Sequence, residues 1–283
     1  MDQAILLFFE EIRSPALTWV FGALSFCGEA LTVGAVIILL YWLIGGRAGE
    51  QLLFTALSSA ALNSMMKCAV HRPRPYAAGV VERLDVDMPL FSTRNLGDNL
   101  SFPSGHAQAT TSALLTGACL KKRVWGWILA VLLVLLVCAS RLYFGVHYPT
   151  DVLAGALFGT LVAVFWQLIF KDAYKYRYYI LMAMAVFTLA AVPLAPEKEL
   201  VRMAGLLAGG ALFLPLTALL KCDMPKKFAR RLWRIPVGLL CAGAVFAATY
   251  FFPEGLAFTL LKWFLLTGAG TLLATACFKV LKI

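Results

Sequence analysis

The chain has 283 residues, 61% of them hydrophobic and only 14% charged, with a formal net charge of +10. Its apolar runs reach the roughly 20 residues needed to cross a bilayer, which excludes a soluble globular domain and predicts a polytopic membrane protein. The cations cluster in short connections between those runs, where membrane topology accounts for them, so a nucleic-acid partner is excluded as well.

The first segment, residues 4–26, is weakly hydrophobic and is interrupted by Glu10, Glu11, Arg13 and Pro15. That pattern leaves open whether it spans, re-enters or lies on the surface. Acidic residues within it, and no basic stretch ahead of it, speak against a cleaved signal peptide. Spans are predicted at residues 30–44, 52–70, 104–120, 124–143 and 152–170, and the longest polar connection, 72–102, separates the second of these from the third. Four further runs, at 178–193, 200–220, 235–252 and 256–279, bring the expectation to nine spans plus the ambiguous N-terminal segment. The runs are too uniformly apolar for barrel strands, which alternate every second residue, so an all-α bundle is predicted.

Loop charges suggest an orientation. Arg47, then Lys121, Lys122 and Arg123, then Lys171, Lys175 and Arg177, then the run 221–234, and lastly Lys279 and Lys282 alternate onto one side, which the positive-inside rule makes cytoplasmic. The seven cysteines are scattered through apolar runs, without the spacing of a zinc site or a disulfide framework, and read as small apolar fillers.

Three short polar segments stand out at the edges of apolar runs: 67–75 (KCAVHRPRP), 103–106 (PSGH) and 140–151 (SRLYFGVHYPTD). They hold all three histidines of the chain, His71, His106 and His147, and they all fall on the side opposite the basic loops. Proton-transfer and anion-binding groups gathered in so apolar a chain point to phosphate chemistry at a membrane face.

A phosphate monoester repels nucleophiles, so catalysis depends on neutralising its oxygens and aligning the attacking and leaving atoms. Lys67, Arg74 and Arg141 suit that neutralisation, the arginines through forked hydrogen bonds and the lysine as a point charge. Pro103, Ser104 and Gly105 lead into an apolar helix. Ser104 can cap it, and free backbone N–H groups can meet an anion that Gly105 lets approach closely. His106, in the first turn, has a reference pKa of about 6.5 that suits proton donation to a leaving oxygen. In the third segment Pro149 pushes Tyr148 out of helical geometry, and Thr150 can cap a helix beginning near Asp151. Asp151 can accept a hydrogen bond from one ring nitrogen of His147, leaving the other to attack phosphorus, which makes His147 the preferred nucleophile.

His71 and Arg72 read as interfacial rather than catalytic, and Ser140 as a support for Arg141. Arg83, Asp85, Asp87, Arg94 and Asp98 of the long connection suit a cover over the site as well as they suit a solvated surface.

Lysine, six residues, Arg-Pro, then Pro-Ser-Gly-His, then Ser-Arg, five residues, histidine, three residues and aspartate together resemble the type 2 phosphatidic acid phosphatase (PAP2) superfamily. Here these are Lys67, Arg74 and Pro75; Pro103 to His106; and Ser140, Arg141, His147 and Asp151. The resemblance covers about residues 50–170 and implies a metal-independent phosphatase without a cofactor, working through a phosphohistidine on His147. It makes His106 the acid and then the base, has Lys67, Arg74, Ser104, Gly105 and Arg141 hold the phosphate, and has Asp151 orient His147.

The resemblance further implies a six-helix core at 1–170, with a crossing N-terminal helix and Met1 in the cytoplasm. About four additional helices would occupy 171–283, open to roles as a homodimer contact, a wall for acyl chains or a lipid passage. The substrate it implies is a membrane lipid phosphate: undecaprenyl pyrophosphate, phosphatidylglycerophosphate, phosphatidate, a lipid A phosphate or a sphingoid phosphate. An outward site in a bacterial cytoplasmic membrane favours prenyl pyrophosphate. The alternatives are a phosphotransferase, in which a hydroxyl acceptor replaces water, and a phospholipid transporter that keeps the phosphate cradle without turnover.

Overall fold

The computed structural model describes residues 2–88, 91–93 and 100–283. Arg94 and Asp98 lie outside the described residues. The chain is helical almost throughout, with one short antiparallel pair, β1 (Asp87–Met88) and β2 (Phe91–Ser92), in the long connection. It divides into two compact units, residues 1–36 with 66–167 and residues 37–65 with 168–283.

The first unit opens with α1 (Asp2–Glu11) and α2 (Pro15–Gly28), followed by the start of α3 (Ala30–Ile44). The last turn of α4 (Gly46–Val70), then α5 (Gly105–Lys121), α6 (Val124–Tyr143) and most of α7 (Pro149–Asp172) complete it. The N-terminal segment is therefore two helices, in place of one crossing helix. Pro15 at the first position of α2 and Ser14 capping it, with the Leu17 N–H donating to its hydroxyl, enforce the break.

The apolar face of α1 packs Leu6 against Val81, Ala107, Leu142, Tyr148 and Val152. The Asp2 carboxylate receives a hydrogen bond from the Thr150 hydroxyl at 2.8 Å. Residue 2 thus lies at the end of the unit where α5 and α7 begin. The implied topology, which sets the N-terminus on the side opposite the motifs, is corrected accordingly.

The second unit contains the rest of α3, α4 and α7, then a 3-10 turn (Tyr174–Tyr176), α8 (Arg177–Ala191) and α9 (Lys198–Leu219). It ends with α10 (Phe228–Leu232), α11 (Arg234–Ala248) and α12 (Leu256–Leu281). Glu50 of α4 accepts hydrogen bonds from the Tyr174 hydroxyl and Arg177 Nε, both at 2.9 Å. All seven cysteines are free thiols.

Each predicted span is found as a helix, but not all are equally suited to lipid. Among the described residues five stretches are long and apolar enough to cross a membrane: α6, α7, α9, Phe228–Ala248 and α12. The pair α2 and α3, bent by 51°, would make a sixth. By that measure α5 and α8, with 17 and 15 residues, and α4, rich in polar side chains, do not stand among them. Gln51, Thr55, Ser58, Ser59 and Ser64 of α4, and Gln108, Thr110, Thr111, Ser112 and Thr116 of α5, are buried within the protein. The apolar surface of α6, by contrast, is turned outward, with Trp125, Leu129 and Leu135 all more than half exposed. Soluble monomers rarely leave so much apolar surface uncovered.

Candidate active site

Two glycines on α7 bring the second and third polar segments together. A Cβ on Gly155 would stand 2.5 Å from the Ser104 carbonyl oxygen, and one on Gly159 would stand 2.6 Å from that of Gln108. No side chain fits at those separations, so the backbones of α5 and α7 touch directly, as small residues four apart allow in membrane helices. The Ser104 N–H then donates to the Asp151 carbonyl at 3.0 Å, joining the start of α5 to the start of α7. Gly155→Val should therefore lower thermal stability in detergent by about 1–3 kcal/mol and suppress activity. A variant with the parent's unfolding temperature and rate would show that this approach is not required.

The first segment ends α4. His71 takes the left-handed conformation (φ 49°), its N–H bonds the Lys67 carbonyl, and its side chain is exposed as the chain leaves the helix. Lys67 Nζ donates to the Leu100 carbonyl at 3.4 Å, and Pro73 bridges Leu100. The two ends of the long connection are thereby held side by side. In the extended Arg72-Pro73-Arg74 stretch, the two arginines go to different partners. Arg74 is buried, with Nη1 donating to the Val146 carbonyl at 3.0 Å and lying 3.4 Å from His147 Nε2.

Ser104, fully buried, caps α5 by accepting the Ala107 N–H, and Gly105 opens the helix. His106 follows in the first turn. Its Nε2 is buried and has no hydrogen-bond partner among the described residues. An unsatisfied buried imidazole nitrogen is costly unless a ligand completes it. Arg141, His147, Arg74 and Lys67 are all close enough to His106 to act on its charge. Arg141, in the last turn of α6, is wholly buried and donates to the Ser25 hydroxyl of α2. The Ser140 hydroxyl, expected to support Arg141, instead bonds the Val137 carbonyl of its own helix, and it is Ser25 of α2 that holds the guanidinium.

His147 is 2% exposed, and its Nδ1 lies 2.8 Å from the Ser101 carbonyl. A carbonyl can only accept, so Nδ1 carries the proton and the Nε2 lone pair faces Arg74. Burial, followed by the charges of Arg74, Arg141 and Lys67, holds this imidazole well below the ordinary histidine range, which keeps it neutral.

The structure changes one expectation here. The Asp151 carboxylate stands 3.7 Å from His147 Nδ1, so the near partner of the ring is the Ser101 carbonyl. Asp151 is engaged elsewhere: Oδ1 accepts from Arg72 Nη1 and Oδ2 from the Tyr148 N–H, each at 2.8 Å. Thr150 also departs from its expected capping role. With Pro149 starting α7, it is Asp151, two positions further on, that reaches back to an N-terminal N–H, as the acidic member of a capping box does. The Thr150 hydroxyl instead accepts from Arg72 and donates to Asp2.

Arg74 thus stands beside the His147 ring, Lys67 and Arg141 lie close enough to act on both imidazoles, and Asp151 is on the Nδ1 side of His147. Sequence reasoning missed Arg72 and Ser101. Both sit beside recognised motif residues, and the Arg-Pro-Arg alternation was the available sign that the first arginine faces a second partner.

A sequence profile of the PAP2 superfamily matches residues 48–175. The chain is 29% identical over 167 residues to lipid A 4'-phosphatase of Bacteroides thetaiotaomicron, covering 56% of this chain and 72% of that protein. It is 32% identical over 149 residues to undecaprenyl-diphosphatase BcrC of Bacillus subtilis, covering 50% of this chain and 70% of that one. Among solved structures, a transmembrane PAP2 type phosphatidylglycerolphosphate phosphatase from Bacillus subtilis aligns with 24% identity and a TM-score of 0.46, over 59% of this chain and 82% of that one.

Proposed function

The chain belongs to the PAP2 superfamily, and on that footing we propose that it hydrolyses a lipid phosphate monoester or pyrophosphate through a phosphohistidine on His147. The observation that carries this reading is the neutral His147 Nε2 facing Arg74, with close by a His106 Nε2 that has no partner among the described residues. Simple anion binding needs neither a second buried imidazole nor a nucleophile in a fixed tautomer.

Lys67, Arg74 and Arg141 neutralise the phosphate oxygens, and the Ser104–Gly105 start of α5 offers backbone N–H groups. His106 protonates the leaving oxygen and then activates water. The cup is built from cations and imidazoles rather than from the carboxylate clusters that hold divalent ions, which supports chemistry without a metal. Residues 1–170 carry every group of the proposed site, and we assign 171–283 to additional helices, where a homodimer contact can form. Basic loops at the opposite ends of the helices support a site on the extracytoplasmic face of a cytoplasmic membrane.

The substrates named for relatives, lipid A and undecaprenyl diphosphate, suggest a bacterial lipid phosphate, with the prenyl pyrophosphate first among them. Phosphate release from a panel of purified lipid phosphates in detergent tests the proposal, with hydroxyl acceptors added to expose any phosphotransfer. Chelators should leave the rate unchanged, and orthovanadate should compete with substrate as a mimic of five-coordinate phosphorus. Binding without release across the whole panel would return the chain to the transporter reading. A strict divalent-ion requirement would overturn the metal-free mechanism.

A further inference from the structure

Arg72 belongs neither to the cations around the phosphate nor to the exposed surface. Its guanidinium reaches three groups: Asp151 Oδ1 at 2.8 Å, the Thr150 hydroxyl at 2.7 Å and Asp2 Oδ2 at 3.3 Å. It also stacks 3.8 Å from the centre of the Tyr148 ring, next to His147 in the chain. Its backbone carbonyl accepts the Ser101 N–H at 2.8 Å and the Ser101 hydroxyl at 3.2 Å. The Ser101 carbonyl and the Asp151 carboxylate are the two acceptors beside His147 Nδ1, at 2.8 and 3.7 Å. One residue therefore holds both of them, the first through its main chain and the second through its side chain.

We propose that Arg72 is a positioning residue that keeps the Asp151 carboxylate ionised and aimed behind His147, so that the nucleophile retains its tautomer as positive charge develops on the ring. The inference rests on the phosphohistidine reading of His147.

The Asp151 side chain is fully buried, and a buried carboxylate without a cation takes up a proton instead of staying charged. The charged and titratable groups facing it are His147 across the ring edge, Arg72 from the end of α4, Tyr148 from its own turn, and Asp2 through Arg72 and Thr150. Of these, only Arg72 carries a fixed positive charge. An imidazole that bonds to phosphorus becomes cationic, and an ionised carboxylate within about 4 Å of Nδ1 favours that state over the neutral one. The guanidinium is suited to the task because its rigid planar fork holds Asp151, Thr150 and Asp2 together, whereas an ammonium on a flexible stem is not preorganised for them.

The test compares Arg72→Gln and Arg72→Lys with the parent full-length protein in detergent, using one lipid phosphate substrate. For Arg72→Gln, kcat should fall on the order of 10- to 100-fold, by analogy with the loss of a partner that orients a metal-bound histidine. KM should change little, because Arg72 does not touch the phosphate. The acid limb of the kcat profile should move to higher pH, since loss of the cation makes Asp151 easier to protonate. Arg72→Lys should restore the position of the limb and part of the rate.

A parent-like kcat and pH profile in Arg72→Gln overturns the proposal. So does a loss confined to KM, or a loss matched by a lower unfolding temperature that lysine does not relieve. If the parent itself gives no acid-labile phosphoenzyme under rapid quench, the phosphohistidine reading has failed. A parent that gives one, beside an unaltered Arg72→Gln variant, refutes the role of Arg72 alone.

Discussion

Replacing His147 by alanine or glutamine is expected to abolish both turnover and the phosphoenzyme, with kcat/KM reduced by about four orders of magnitude or more. The expectation follows from what the ring does and from what no neighbour can do in its place. Its Nδ1 is committed to the Ser101 carbonyl, so the Nε2 electron pair is the one available to form the bond to phosphorus. Burial keeps the ring neutral, so that pair is present without prior deprotonation. On the proposed mechanism, the bridging oxygen leaves with the lipid as that bond forms and takes its proton from His106.

In the proposed site, Lys67, Arg74 and Arg141 would still hold phosphate without His147. Substrate affinity in the His147→Ala protein should accordingly stay within a few-fold of the parent, as judged by competition with orthovanadate or by direct lipid binding. Rapid quench with a phosphorus-labelled substrate gives the decisive reading. An acid-labile, base-stable adduct on the parent that is missing from the variant supports the assignment. An adduct of the same yield in His147→Ala would transfer the nucleophile to another side chain.

The parts of this site that rest on local rules were legible in the sequence, and the parts that rest on long-range contacts were not. Ser104 before an apolar run announces a helix start, because a hydroxyl there satisfies an orphan N–H. The cations near Pro75 and Leu142 stood out because charge is costly in so apolar a chain. The spacing from His147 to Asp151, four residues, invited a direct hydrogen bond, but the two stand 3.7 Å apart. That bond required Asp151 to face the ring alone, yet residues 72 and 101, brought in from far along the chain, take up its neighbours.

The N-terminal helices show the same limit. Residues 2–28 are marginally apolar, and nothing local indicates that Asp2 lies against Thr150, 148 positions away. Hydropathy alone does not separate lipid-facing helices from those, such as α4 and α5, whose hydroxyl side chains turn into the protein.

Replacing His106 by asparagine should separate the two halves of the reaction. On the proposed mechanism, His106 gives a proton to the leaving oxygen and then takes one from the water that attacks the phosphohistidine. Each half of the exchange is worth about 10²- to 10⁴-fold. With an ordinary lipid ester both halves fail, so steady-state hydrolysis should fall by at least about 10²-fold.

With an aryl phosphate, whose leaving group departs without protonation, the first half no longer needs His106, while the second still does. The His106→Asn protein should then show a burst of aryl alcohol close to one equivalent per active site, followed by slow release of phosphate and an accumulating phosphoenzyme. The geometry favours this split, because His106 Nε2 is buried without a hydrogen-bond partner among the described residues, whereas His147 is anchored independently through Ser101. Losing the His106 imidazole should leave the nucleophile in place. A variant that loses burst and steady state alike with the aryl substrate would instead make His106 a support for His147. Parent-like hydrolysis of the lipid ester would remove it from the proton path altogether.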